Sequence, residues 1–382
     1  MIILTYMQRH FLDECLNSIL SQTYPNLEIV VCDDSSADFD PLEVEDYIYD
    51  HAGENVKNVV VYQQPHNVGT VANAQKGVEL STGVYFKLHA GDDLLYDDTV
   101  LERIFKIFST RDVGILAARS VACQHDGTIT GDYYPPEQFF QEMQGVPARK
   151  QFELIGTQAW GAYINAPAVF WTREFFDKIG GFDLSYLYTE DWPMWLEITA
   201  AGYEITMVNT VTTIYRYGGI SNDSSELNLS IGKTHYQESI RMLRENVLPK
   251  FQSEGNIKKT IRCRHAIKCL EVRMETEGRW DRWTLAERLG WRIRMLPFLL
   301  LSWLYRVRAH GVVLQGKVPQ YIICACVAMF ALRVEIWPGV SCQHIWTGGF
   351  LVGFVWLLLK LILIGMLKVF RLGLLWKARE MP

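Results

Sequence analysis

The stretch SILSQTYPNLEIVVCDDSS, residues 18–36, together with the apolar run IILT at residues 2–5, predicts the beginning of the fold. Between these runs, residues 11–21 carry apolar side chains at helical spacing. Residues 27–32 are apolar apart from Glu28, a pattern that suits a buried strand, and two aspartates follow them. A strand, a helix and a second strand within roughly thirty residues indicate two parallel strands joined by a crossover helix.

The same alternation continues along the chain to about residue 211. Residues 59–62 and 85–88 read as strands, and residues 71–80 read as a helix. We therefore predict an α/β domain that is Rossmann-like, with a mostly parallel sheet flanked by helices. Carboxylate pairs recur where strands end, at 33–34 and 92–93, and the carboxyl edge of such a sheet is where ligands bind.

Composition and charge limit the function classes. The chain has 382 residues and a formal net charge of −6, which argues against a general nucleic-acid binder, because such proteins carry a basic excess that matches the phosphates. The charge is uneven: the first half is acidic, whereas residues 258–273 and 368–379 are rich in Lys and Arg. Basic segments of this kind are typical of proteins that face an anionic lipid surface.

Three further segments carry candidate chemistry: HNVG at 66–69, LHAGDD at 88–93, and GGFDLSYLYTEDWPMW at 180–195. Adjacent carboxylates such as those at 92–93 can hold Mg²⁺ or Mn²⁺. Taken alone, each acidic pair has a plainer interpretation. An Asp-Asp-Ser-Ser stretch forms turns and helix caps, a Gly-Asp-Asp stretch forms a solvated turn, and an acidic pair at a helix start complements the helix dipole.

In order and spacing, these segments resemble family 2 glycosyltransferases, which have the GT-A fold, over about residues 1–220. The resemblance implies a nucleotide-diphosphate sugar as donor, whose base is uracil or another base, and a UDP-sugar is the expected donor. Physically, a carboxylate can accept a hydrogen bond from a base imide, and a tyrosine can stack on the base. The residues that the resemblance assigns to nucleotide binding are Thr5, Tyr6, Asp33, Asp34, Asn67, Lys76, Asp92 and Arg216.

The resemblance also assigns the catalytic and metal-binding groups. Asp93, with Asp92, would bind Mg²⁺ or Mn²⁺, although Ala90 stands where many members have a further aspartate. Asp191 would be the general base, with Glu190 beside it. A separate base and a metal-stabilised leaving group imply a single displacement that inverts the anomeric carbon. Two aromatic side chains near the base have two interpretations, sugar stacking or core packing: Trp192 and Trp195.

Beyond residue 216 the strand signals end, and beyond about 296 the chain is strongly apolar. We predict a GT-A domain at 1–235, a helical linker region at 236–290 and membrane-associated helices at 291–382. Residues 345–367 are long enough to cross about 30 Å of hydrocarbon, and 318–337 is a weaker candidate. Helices lying in the membrane plane are the alternative.

These features predict an enzyme at the inner (cytoplasmic) membrane. No signal peptide is recognisable before the first strand, and the basic tail follows the positive-inside tendency, so we place the catalytic domain on the cytoplasmic side. A membrane appendage implies a lipid-linked or glycan acceptor, as in the synthesis of surface polysaccharide or glycolipid.

Three other functions stay open at this point. A nucleotidyltransferase would share a nucleotide-binding sheet and metal carboxylates, but not the QTYPN opening. A catalytically silent nucleotide-sugar-binding scaffold is the second, since Met7 stands where polar residues are common. A processive polysaccharide synthase is the third, and the Gln-x-x-Arg-Trp signature that would favour it is missing after Asp191.

Overall fold

The computed structural model describes residues 1–158, 163–217 and 226–276, together with Thr284 and Glu287. The chain divides into two compact units, Met1–Leu296 and Pro297–Pro382, and every described residue lies in the first. The predicted membrane-associated region at 291–382, with its possible spans at 318–337 and 345–367, lies outside the described residues.

Strands and helices alternate as the sequence predicts. The strands are β1 (Ile2–Thr5), β2 (Leu27–Asp33), β3 (Val56–Gln63), β4 (Tyr85–Phe86), β5 (Leu88–Ala90), β6 (Leu94–Leu95), β7 (Ile115–Cys123), β8 (Ile129–Tyr134), β9 (Val169–Thr172) and β10 (Thr206–Arg216). The α-helices are α1 (Arg9–Leu20), α2 (Pro41–His51), α3 (Thr70–Leu80), α4 (Val100–Thr110), α5 (Glu137–Met143), α6 (Ala148–Ile155), α7 (Arg173–Lys178), α8 (Asp191–Ala200), α9 (Glu226–Met242), α10 (Leu248–Ser253) and α11 (Ile257–Thr276). A 3₁₀ turn precedes β9, at Ala166–Ala168, and a π-helical turn joins α9 to α10, at Leu243–Val247.

The first sheet is fully parallel and has the order β3-β2-β1-β5. Helix α1 connects β1 to β2, and one of its faces is buried: Phe11, Leu12, Cys15, Leu16, Ile19 and Leu20. Helix α3 packs on the other side, where its apolar residues share a core cluster with Ile2 and Val30. The predicted α/β class with a parallel sheet between helices is confirmed.

A second, mixed sheet was not predicted from the sequence. Its order is β4-β9-β7-β10-β6, with β8 on β7, and only the β7–β10 pair is parallel. The strand predicted at 85–88 divides at Lys87: β4 joins the second sheet and β5 joins the first. The apolar pattern of 85–88 cannot reveal this division, because strands of either sheet carry similar buried residues.

The helices after β10 pack onto the same core as the sheets. Met242, Leu243, Phe251 and Leu270 belong to the hydrophobic cluster that also contains Phe152. The predicted boundary at residue 235 falls inside α9. Among the described helices, none is both long and apolar enough to cross a bilayer.

Close packing of α3 on β1 gives a test of the fold. A Cβ at Gly77 would stand 2.4 Å from Cγ2 of Ile2. We expect Gly77→Ala to lower the free energy of unfolding by about 1–3 kcal/mol and to lower the thermal midpoint, whereas the same change on an open helix face stabilises by about 1 kcal/mol.

The control is the same substitution in an Ile2→Ala background, where the added methyl group has room. There Gly77→Ala should be neutral or stabilising. An equal loss of stability in both backgrounds would show that the contact with Ile2 is not the cause.

Candidate active site

Parallel pairing brings the two acidic motifs to one edge of the first sheet. Thr5, the last residue of β1, is in register with Asp33 at the end of β2, and the neighbouring Leu4 is in register with Ala90 of β5. The amide of Gly91 donates to the Leu4 carbonyl at 2.8 Å. A Cβ at Gly91 would lie 3.0 Å from Thr5, so a glycine allows this close approach.

Asp92 and Asp93 are buried at this edge. One Asp92 oxygen accepts from Nε2 of Gln8 at 2.7 Å, and Oδ1 of Asp93 accepts from the Arg216 amide at 3.0 Å. Oδ2 of Asp93 is buried and has no hydrogen-bond partner among the described residues. Burial raises the pKa of both carboxyls, and the Asp92 charge raises the pKa of Asp93 further.

These two residues fit a divalent cation. An unpartnered buried carboxylate oxygen next to a second carboxylate supplies hard oxygen ligands, and Mg²⁺ is commonly held by one or two carboxylates plus substrate phosphates. In the part of the chain that the structure describes, no group of three or more His, Cys, Asp or Glu side chains could hold a metal. Most of the coordination shell would therefore come from the donor diphosphate and water.

Arg216, at the end of β10, supports this acidic turn. Its Nε donates to the carbonyl of Asp92 at 3.0 Å, and its other nitrogens donate to the carbonyl of His125 at 2.8 Å and to a Glu14 carboxylate oxygen at 2.6 Å. The guanidinium also lies 4.5 Å from the ring centre of Phe11. The phosphate contact predicted for Arg216 stays a prediction, and the structure adds a positioning role.

Asp33 and Asp34 organise two loops. Asp33 accepts from the amide and hydroxyl of Ser36, at 2.7 and 2.5 Å, and from Gln63 at 3.1 Å. Asp34 accepts from the amides of Val68 and Gly69 at 2.7 and 2.9 Å, while burial raises its pKa. Asp34 thereby fixes the HNVG loop beside the site predicted for the nucleotide base.

The other predicted nucleotide contacts differ in exposure. Tyr6 is half-buried, Thr5 is buried and Asn67 is exposed. Nζ of Lys76 lies 3.8 Å from a Glu79 oxygen and 5.4 Å from the ring centre of Tyr62. Their roles in nucleotide binding stay predictions.

Glu190 and Asp191 lie at the start of α8, where both side chains are half-buried. Burial raises the pKa of both carboxyls, and the Asp191 charge raises that of Glu190 further. Trp192 and Trp195 are buried and donate to the backbone carbonyls of Ile155 and Ile164. Of their two interpretations, core packing is therefore correct.

Four side chains of the site neighbourhood were missed by sequence reasoning: Gln8, Glu14, Lys87 and Glu238. Lys87 is buried with Nζ 3.1 Å from Nδ1 of His89, and burial lowers its pKa to about 7 against the opposing Asp93 charge. A lysine inside the apolar run 85–88 was a usable signal. For Gln8, Glu14 and Glu238, no local pattern marks the contact, because each partner is distant in sequence.

Comparison with known proteins identifies the domain. A family model described as Glycosyl transferase family 2 matches residues 1–179. This part of the chain belongs to glycosyltransferase family 2. The match covers β1 through α7 and agrees with the GT-A fold predicted from the motifs, with both acidic motifs of the sheet edge inside it.

The relatives agree with this family. An uncharacterized glycosyltransferase of Rickettsia typhi is 26% identical over 200 residues, which are 51% of this chain and 57% of the relative. The chain thus spans little more than half of that relative's length. The Escherichia coli UDP-Glc:alpha-D-GlcNAc-diphosphoundecaprenol beta-1,3-glucosyltransferase WfaP is 22% identical, with 63% of this chain and 85% of WfaP covered.

A solved structure is also similar. Staphylococcus aureus TarS 1–349 in complex with UDP-GlcNAc has a TM-score of 0.49 and 17% identity, and the alignment covers 78% of this chain and 79% of that one.

The acidic turn gives a prediction on stability and metal. Because the folded-state pKa of Asp92 is raised, to about 6, the folded protein binds more protons than the unfolded chain there, and metal-free stability should fall as the pH rises through 6. Asp93→Asn removes one of the two neighbouring buried carboxyls, so the chelator-treated variant should lose less thermal stability than the wild type as the pH rises.

Added Mn²⁺ should raise the midpoint of the wild type and leave Asp93→Asn unchanged. The matched control is Asp112→Asn, an exposed aspartate, which should respond to Mn²⁺ as the wild type does. Equal stabilisation of Asp93→Asn by Mn²⁺ would contradict the assignment of Asp93 to the metal.

Proposed function

We propose that this chain transfers a sugar from a nucleotide-diphosphate donor, a UDP-sugar, to a hydroxyl of a lipid-linked saccharide, with inversion at the anomeric carbon. One observation carries the proposal. Within a family 2 domain, a buried carboxylate pair with an unpartnered oxygen, Asp92 and Asp93, shares a sheet edge with the predicted base-binding Asp34.

The segment that leads to Asp191, the proposed general base, lies near the same sheet edge. The carbonyl of Leu187 accepts from the Val71 amide at 3.1 Å, just beyond the HNVG loop that Asp34 holds. Burial raises the pKa of Tyr188, and the Asp34 charge raises it further. Asp191 follows three residues later, so an acceptor near α8 would lie beside the donor site.

In the proposed mechanism, Asp191 accepts the proton of the acceptor hydroxyl as that oxygen bonds to the anomeric carbon. The bond from this carbon to the diphosphate oxygen breaks, and the nucleoside diphosphate leaves with the electron pair. A bound Mg²⁺ or Mn²⁺, held by Asp93 and Asp92, would supply charge neutralisation for that leaving group. Burial favours the base role, because a carboxylate whose pKa is raised toward neutral accepts a proton more readily.

The acceptor is inferred from a relative and from the tail. WfaP is named for a diphosphoundecaprenol-linked acceptor, and the apolar residues beyond 296 in this chain suit a membrane setting. We therefore propose a polyprenyl-diphosphate saccharide as acceptor and the cytoplasmic side of the inner membrane as the location.

The donor reaction is tested with a panel of nucleotide sugars, with Mn²⁺ or Mg²⁺, by following release of the nucleoside diphosphate. We expect turnover of one donor that chelation abolishes. Asp191→Asn should lower kcat by roughly 10²–10⁴-fold while donor binding persists, and the exposed Asp177→Asn should behave as the wild type. A chain that binds donor without any turnover would be a scaffold, and one that binds none would contradict the proposal.

The location is tested by fractionating cells that express the full chain. We expect it to stay in the membrane pellet after a carbonate wash, since apolar helices in the bilayer are not released by high pH. Protease added to intact spheroplasts should leave the chain uncut, while a membrane protein with a periplasmic domain is cleaved as the control. Release by carbonate would favour helices that lie in the membrane plane over helices that span it. A chain absent from the membrane pellet before the wash, or cleavage at the catalytic domain, would contradict the proposed location.

A further inference from the structure

Residues 185–189, here called the strap, immediately precede Glu190 and Asp191. The strap includes no helical or strand residues, so its position depends on contacts with other elements. It is bound on one side by α9 and on the other by the donor loop, which we define as residues 66–71.

On the α9 side, one carboxylate accepts hydrogen bonds from three consecutive residues of the strap. Glu238 accepts from the amides of Leu187 and Tyr188, at 2.5 and 3.1 Å, and from the hydroxyl of Thr189 at 3.0 Å. Glu238 is only 8% exposed. Almost one turn further along α9, Arg241 donates to the carbonyl of Ser185 at 2.9 Å. Helix α9 therefore holds both ends of the strap.

Where the strap meets the donor loop, the two segments are closely packed. The Leu187 carbonyl accepts from the Val71 amide at 3.1 Å. Gly69 has φ +86°, and a Cβ there would come within 2.4 Å of Cδ1 and 2.6 Å of the carbonyl oxygen of Leu187. Because Asp34 holds the Gly69 amide at 2.9 Å, a continuous line of contacts joins Asp34, the donor loop, the strap and Glu238.

We propose that Glu238 is a positioning residue for Asp191, and that the strap couples donor binding to the placement of this base. The inference rests on the proposed function. A nucleotide held at Asp34 restrains the donor loop, the donor loop restrains Leu187, and Glu238 fixes the three residues that lead into α8. Coupling of this kind is reciprocal, so a looser strap weakens the link in both directions.

Glu238→Gln tests the coupling with little change in volume. The amide keeps one acceptor but places an NH₂ donor against the other donors of the strap, which leaves buried donors unpaired. The ligand is a nucleoside diphosphate with Mn²⁺, taken as whichever of UDP, GDP and dTDP the wild type binds. Amide hydrogen exchange of the full chain is followed in the donor loop and the strap, and the exposed Glu275→Gln is the matched control.

In the wild type and in Glu275→Gln, we expect the nucleotide to slow exchange in both segments. In Glu238→Gln, the dissociation constant should stay within about threefold and the donor loop should still be protected, but the strap should lose its protection. The kcat for donor turnover should fall by roughly tenfold with little change in donor KM. If Glu238 had only a structural role, Glu238→Gln would lower stability, and the nucleotide would protect the donor loop and the strap to the same extent.

Thr189→Val supplies a second, milder variant, because it removes one of the three donors to Glu238 and keeps the side-chain volume. It should show partial loss of strap protection even if Glu238→Gln does not fold. Strap protection equal to that of the wild type in whichever of these variants folds would overturn the inference. A wild type that binds no nucleoside diphosphate would instead refute the proposed function, whereas nucleotide binding that never protects the strap would refute the coupling alone.

Discussion

The pairing of β1 with β2 on one side and with β5 on the other is the contact on which the site depends. Both pairs are parallel, so the carboxyl ends of the three strands meet at one edge. The Gly91 amide donates to the carbonyl of Leu4, which sets the acidic turn against the end of β1. Two motifs about sixty residues apart in the sequence thereby become neighbours, and the remaining contacts adjust a site that this pairing has already assembled.

Collecting carboxylates at a buried edge has a cost, because an ionised group out of water is unfavourable unless it is paired. The protein offsets part of that cost with neutral and cationic donors from distant elements. Gln8 donates to Asp92, the Arg216 backbone amide donates to Asp93, and the Arg216 side chain holds the turn through the Asp92 carbonyl. The Oδ2 atom of Asp93 has no hydrogen-bond partner among the described residues, and burial raises the pKa of both carboxyls because their charges are only partly offset.

The two sheets divide the work of the domain. The parallel sheet positions the acidic motifs. The mixed sheet and the helices after it contact the acidic turn at Asp92 and the strap that precedes Glu190. Arg216 at the end of β10 contacts the acidic turn, and Glu238 on α9 holds the residues before Glu190. The helices after the sheets thus help to fix the segment that leads to Glu190 and Asp191, and Asp191 is the residue for which we propose the base role.

The sequence by itself determined the parallel sheet, the position of each acidic pair at a strand or helix end, and the family. Hydrophobic periodicity and motif order are local properties, and β1, β2 and α3 follow from them within a few residues. Only the tertiary structure decided that the run 85–88 divides between two sheets at Lys87, that Trp192 and Trp195 are core, and that Glu238 holds the strap. These outcomes depend on which distant surfaces meet: burial and hydrogen-bond partners are set by the packed fold, and nothing in the residues adjacent to Glu238 or Trp195 records them.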